Sequence, residues 1–203
     1  MIPAALYWSI LLSTGFIAVL FGAFFNFLNK PVENKVLYFW FLTRFLTDFS
    51  VFIGIIVFNH VFIIIMQTSI IIESVLLVLL LKNRFDKVKF KLLLLFPLLI
   101  FSIEIVNFIV GGSIIQLGFI FYNLLASIIL FMGFIQTHSI SYTTHNMLKV
   151  LFIFHAVTFI YSLFDYVIRD NIDLMKIVYP LFLLIIVALN IFYIINSWSP
   201  RKN

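Results

Sequence analysis

The sequence has no cysteine. Disulfides, thiolate nucleophiles, cysteine-bound zinc, cysteine-bound iron–sulfur clusters and a thiol-linked acyl anchor are therefore excluded. Charge is scarce as well. Asp, Glu, Lys and Arg make up 10% of the 203 residues, against about 25% in a soluble domain. So little charge cannot cover a globule, which rules out a soluble catalytic domain. Catalytic motifs are lacking too. There is no HExxH metalloprotease motif, no GxGD aspartyl motif and no Walker loop. Gly111-Gly112-Ser113 lacks the closing glycine of a GxSxG elbow. A retinal protein needs a lysine midway along its last helix, and Lys176 falls at the outer end instead. His138 and His145 have no carboxylate close by and make a poor metal site. Enzyme is the least supported class, and neither a cofactor nor a metal is expected. No Lys or Arg precedes the first apolar run, so Met1-Ile-Pro-Ala does not read as a cleavable leader and that run is expected to be retained.

What the chain does have is apolar length. Mean hydropathy is +1.21 and 64% of residues are hydrophobic. Crossing about 30 Å of hydrocarbon takes about 20 apolar residues. Seven runs qualify, at roughly 5–28, 36–58, 61–81, 92–110, 114–136, 147–168 and 176–198. Strands of a membrane barrel would be about 10 residues long and would alternate in polarity. Phe62-Ile-Ile-Ile-Met66 and Leu92-Leu-Leu-Leu-Phe96 do not alternate. The expected fold is therefore all-α, a single seven-transmembrane-helix bundle without a soluble domain.

Lys and Arg collect on the cytoplasmic side of membrane proteins. With seven spans, Lys30, Lys35, Lys82, Arg84, Lys87, Lys89, Lys91, Lys149, Arg201 and Lys202 share one face. The other face has only Arg169 and Lys176, offset by Asp170 and Asp173. This predicts an N-terminus outside and a C-terminus in the cytoplasm. Tyr7 and Trp8 fall at the outer boundary, and Tyr38, Trp40 and Trp198 near the inner one, where amphipathic rings favour the headgroups. The pI of 9.5 then needs no nucleic acid, because basic loops beside anionic lipid explain it. The loop carrying Lys82, Arg84, Lys87, Lys89 and Lys91 is expected to touch lipid headgroups. An acidic surface on a cytoplasmic partner is the alternative.

The loops are short, with little more than Asn59-His60 between spans 2 and 3, so successive helices should be antiparallel neighbours. The longest connection is Thr137–Asn146, rich in Ser and Thr. The equal spacing of Asp48 to Glu73 and of Asp165 to Asn190 suggests a repeat but fails on depth. Pro97 and Pro180 are expected to kink spans 4 and 7.

Ionisable groups in hydrocarbon are costly, so each is a candidate site. At about 1.5 Å per helical residue, Arg44, Glu73, His155 and Asn190 fall in one layer about 12 Å above the inner boundary. Asp48 lies one turn further out on the face of Arg44. The simpler reading is a clamp, in which Arg44 neutralises Glu73, Asp48 or both while His155 and Asn190 complete the hydrogen bonds. The sharper one is a proton or cation relay in which Asp48 or Glu73 titrates. A single arginine cannot compensate Asp48, Glu73 and Glu104 together, which keeps the relay open. A second group, Gln67, Glu104, Asn107, Asn123, Tyr161 and Asp165, falls in the outer half of spans 3 to 6 and is read first as helix-to-helix bonding near the water boundary.

The stretch from Leu37 to Arg84 combines a span with a central acid (Asp48), a turn at Asn59-His60, and Met66-Gln-Thr-Ser-Ile-Ile-Ile-Glu73 before a basic end. It resembles small seven-helix inner-membrane proteins of Bacteroidota that carry an acid at the position of Glu73. The resemblance covers spans 2 to 7 and implies a bacterial inner-membrane location, with no activity attached. The functional expectation is a non-enzymatic bundle: an accessory or scaffold subunit of a larger membrane complex, or the membrane part of a sensor, with lipid and other integral membrane proteins as partners. The alternative is a small proton-coupled transporter using Arg44, Asp48, Glu73 and His155. A lipid hydrolase working from the outer polar group is the third possibility.

Overall fold

In hydrocarbon no water satisfies a backbone N–H or C=O, so a crossing segment must close its own hydrogen bonds, and a helix does so within one stretch of chain. The computed structural model describes residues 4–26, 32–57, 61–82, 85–109, 115–135, 142–168 and 172–198. These are almost wholly helical, and no strand occurs among the described residues. The helices are α1 (Ala4–Asn26), α2 (Val32–Val57), α3 (Val61–Leu81), α4 (Lys87–Leu93), α5 (Leu95–Ile109), α6 (Ile115–Ile135), α7 (Tyr142–Ile168) and α8 (Ile172–Trp198).

Six stretches are long and apolar enough to cross a membrane: Leu6–Ala23, Lys35–Ile53, Ile64–Leu81, Lys89–Asn107, Gly118–Ile135 and Asn146–Phe164. The chain is a multi-pass helical membrane protein on that ground. The seventh run falls in α8, a helix of 27 residues whose apolar part among the described residues is the shorter Pro180–Ile195.

Hydroxyl side chains within these helices bond back to the preceding turn, which lets them sit in apolar surroundings. Thr14 Oγ1 donates to the Ile10 carbonyl at 2.8 Å, Thr47 Oγ1 to Thr43 at 2.8 Å and Ser74 Oγ to Ile71 at 2.7 Å. The fourth expected span is divided at Leu94 between α4 and α5. Pro97 explains the division, because it has no N–H for the Leu93 carbonyl and its ring crowds that turn. The Leu94 amide still reaches Phe90 O at 3.2 Å, so the chain bends rather than reverses. Asp86 caps α4, accepting the Lys89 amide at 2.8 Å, and its carboxylate lies 3.5 Å from Lys89 Nζ. Pro180, by contrast, sits inside α8 without dividing it.

The contacts close a ring in the order α1, α2, α3, α6, α7, α8 and back to α1, with α5 packed outside against α3 and α6. Its surface is inverted relative to a soluble protein. The outward positions carry Leu92, Leu98, Ile109, Ile177 and Leu184, all strongly exposed, while Gln67, Glu73, Glu104, Asn107, Asn123, His155 and Asn190 are buried. Only an apolar solvent makes that distribution favourable.

The two ends of the ring differ. At the end holding the start of α2 and the close of α3, the interior is filled by Leu77, Leu81, Leu130, Leu148, Leu151 and Tyr193, all nearly inaccessible. Phe41 stacks on Tyr193 at 3.9 Å. Gly22 permits this packing, since a Cβ there would overlap the Tyr193 hydroxyl and approach Tyr38 to 2.9 Å. Trp40 is only 1% exposed and sits inside the ring. Its indole packs against Phe41 and Phe154 at 5.1 and 6.0 Å, on the inner side of α2. The opposite end, where α1 begins and α2 closes, is incompletely filled and holds the cavity described next.

Candidate functional site: a cavity with a charged floor

A partly enclosed cavity of ≈ 230 Å³ lies between α1, α2, α3, α6 and α8. Tyr7, Trp8, Leu11, Val51, Met66, Ile70, Phe119, Phe182 and Ile186 form its apolar and aromatic wall. Arg44, Asp48 and Glu73 supply the charge, with Thr47 and Ser69 beside them. Arg44 and Asp48 reach it together because residues four apart share a helix face. Glu73 reaches it from α3, and Trp8 packs against Phe52 at 5.6 Å on the wall toward the close of α2.

Arg44 Nη1 lies 3.8 Å from Glu73 Oε2, with the two side chains 15% and 5% exposed. The same Glu73 oxygen accepts a hydrogen bond from the Tyr122 hydroxyl at 2.9 Å. The guanidinium lies 4.5 Å from the Phe154 ring centroid and 5.8 Å from that of Trp40. Arg44 is thus held between an acid and two aromatic faces, and cation–π attraction of this kind strengthens when the cation is desolvated. Its Nε has no hydrogen-bond partner among the described residues. Asp48 is different. It is partly accessible, it feels the charge of Arg44, and among the described residues no hydrogen bond or ion pair reaches its carboxylate.

His155, fully buried, lies behind this floor. Its Nδ1 is 2.9 Å from Asn123 Oδ1. Asn123 Nδ2 already donates to Phe119 O at 2.8 Å, so Oδ1 must accept, and His155 Nδ1 carries the hydrogen. The imidazole meets Tyr122 edge-on at 5.4 Å, Phe154 at 5.2 Å and Trp40 at 5.8 Å. Aromatic rings therefore separate it from the carboxylates, and it does not line the cavity. Asn190 stands apart as well: its Nδ2 donates to Thr14 Oγ1 at 3.3 Å, tying α8 to α1.

The outer group divides in the same way. Asn107 Nδ2 donates to Glu104 Oε2 at 3.2 Å within α5, and Gln67 of α3 lies beside that carboxylate. A Cβ on Gly118 of α6 would overlap Glu104 Oε1 and come within 2.7 Å of Asn107 Nδ2. The glycine lets α6 close on this knot. Asn123 belongs with His155, not here, and Tyr161 stacks on Phe182 at 4.1 Å. Asp165 and Lys87 fall on helices, but their side chains lie outside the described residues, as do Arg84 and the Asn59-His60 turn. Of the basic segment, Lys82, Lys89 and Lys91 are exposed. Among the described residues no three His, Asp or Glu side chains converge in a way that could hold a metal ion.

Sequence reasoning could single out charges, since they are rare here, but it had no means to find Tyr122 or Phe154. Tyr122 is one tyrosine among 8 and Phe154 one phenylalanine among 27. Nothing in their spacing distinguishes a ring against Glu73 or Arg44 from a ring against lipid. No protein-family model matches the chain, and no curated protein or solved structure matches it.

Proposed function

We propose that this protein is a non-enzymatic membrane module that takes up a small ligand from one side, in the manner of a sensor whose output passes to other integral membrane proteins in a shared complex. What supports the reading is that the cavity lies at one end of the ring and the other end is filled. Arg44, Asp48 and Glu73 line the cavity, while Trp40, Leu77, Leu81, Leu151 and Tyr193 close the ring beyond it. A channel needs a path to both faces, and a blind cavity suits binding better than conduction. The hydroxyls of Thr47 and Ser69 in the lining bond back to their own helices, at 2.8 Å each, and the reading involves no reaction.

In this reading the bundle crosses seven times, α8 being the last crossing. The basic residues face the cytoplasm, and the cavity opens toward the opposite side of a bacterial inner membrane. The charge bias supports that orientation. The inner-membrane location rests on that bias and on the resemblance to Bacteroidota proteins. Lys82, Lys89 and Lys91 then lie against anionic headgroups.

A second reading is a small proton-coupled transporter, favoured by the placing of two carboxylates and an arginine at the cavity floor. Reconstitution separates the two. Vesicles holding the purified protein and a trapped pH dye should show no proton flux when a pH gradient is imposed, with or without a candidate ligand. A flux abolished by Glu73→Gln would establish the transporter and reject the blind sensor.

A further inference from the structure

We infer that the cavity is a site for a small organic monocation, an ammonium group on an apolar or aromatic body, with Asp48 as its counter-ion. The inference rests on the reading of this cavity as a ligand site and adds what the ligand must be.

Charge at the floor carries the argument. Arg44 lies within ion-pair distance of Glu73, so these two offset one another. Tyr122 stabilises the same carboxylate further. Arg44 is also drawn toward Phe154, at 4.5 Å. Asp48 lines the same cavity and also feels Arg44, but has no ion pair or hydrogen bond among the described residues, so one arginine faces two carboxylates. A carboxylate in excess of the available positive charge is costly beside hydrocarbon, and a cation that pairs with it recovers that cost. A neutral ligand leaves the excess charge in place, and an anion adds to it.

The walls fit the other half of such a molecule. Trp8, Phe119 and Phe182 present rings around the cavity. Aromatic faces attract cations as well as apolar groups, and desolvation strengthens the attraction. The size fits too. A volume of ≈ 230 Å³ lies just below the range of about 300–1,000 Å³ common for ligand pockets, which favours a small guest.

The test uses the full-length protein in detergent with 2-phenylethylammonium as the probe, and with 2-phenylethanol and 3-phenylpropionate as its neutral and anionic counterparts. Binding is read by titration calorimetry, supported by the fluorescence of Trp8 in the wall. The ammonium compound should bind, and both counterparts should bind about tenfold more weakly or worse. Asp48→Asn should weaken the ammonium compound by about tenfold or more and leave the neutral one unaltered, whereas Asp48→Glu should retain most of the affinity. Equal binding of the neutral or anionic compound, no binding of the ammonium compound, or an unaltered affinity in Asp48→Asn would each overturn the inference. A Thr47→Cys variant is labelled in parallel with a water-soluble maleimide. Labelling without amine binding defeats the cation assignment and spares the cavity. Absence of labelling defeats both.

Discussion

At the scale of single residues, the floor of the cavity is held by contacts that differ in kind. Arg44 is ion-paired to Glu73 and packed on Phe154. Removing one partner of a buried pair leaves an uncompensated charge, which costs about 3–5 kcal/mol. Arg44→Ala should therefore lower the detergent melting temperature and the membrane yield sharply, and Arg44→Lys should lower them much less; equal losses would show that the charge is not what holds the helices. Tyr122→Phe removes one interhelical hydrogen bond to Glu73 and should cost about 1 kcal/mol, the scale of such bonds in membranes. Chemical denaturation in mixed micelles checks it, and an unchanged midpoint would remove Tyr122 from the account. Arg44, Asp48 and Glu73 were legible because a charge in an apolar run needs a reason. Asn123 was assigned by its depth to the wrong neighbours: depth along one helix says nothing of rotation about its axis, and rotation turned it toward His155.

At the scale of elements, the informative positions are those where a helix departs from regularity or approaches a neighbour closely. Pro97 was expected to kink its span, and the helix is divided three residues earlier, at Leu94. The missing amide acts on the turn that precedes a proline, which accounts for the offset. Gly118 had no legible role, because a glycine in an apolar helix looks the same whether it faces lipid or a buried carboxylate. Its Cβ would collide with Glu104 and crowd Asn107. Gly118→Ala should thus destabilise the bundle by about 1–3 kcal/mol. The loss should shrink when Glu104→Ala is added, because the two sites then no longer conflict. A melting series over the single and double variants reads this directly; strictly additive losses would refute the contact.

At the scale of the whole molecule, the all-helical membrane architecture was legible because long apolar runs that do not alternate in polarity leave the helix, not the barrel strand, to satisfy the backbone. The ring order was not legible. Short loops predict that neighbours in sequence pack together, yet α3 and α6 stand side by side in the ring and α5 is left outside it. Contacts between distant segments depend on side-chain shapes that an almost uniform apolar sequence conceals. The predicted orientation is tested by reporter fusions after Asn203: a reporter that fluoresces only in the cytoplasm should be bright, and a periplasm-dependent phosphatase should be silent. The opposite pattern would reverse the bundle. The central claim, a blind cavity reached by water from one side alone, is tested most directly by thiol accessibility, for which the absence of native cysteine is an advantage. Thr47→Cys and Ser69→Cys, both lining the cavity, should react in intact cells with a membrane-impermeant maleimide. Ser74→Cys, fully buried one residue beyond Glu73, should resist it from either side. Protection of the first two, or labelling of the third from the cytoplasmic side, would contradict the account.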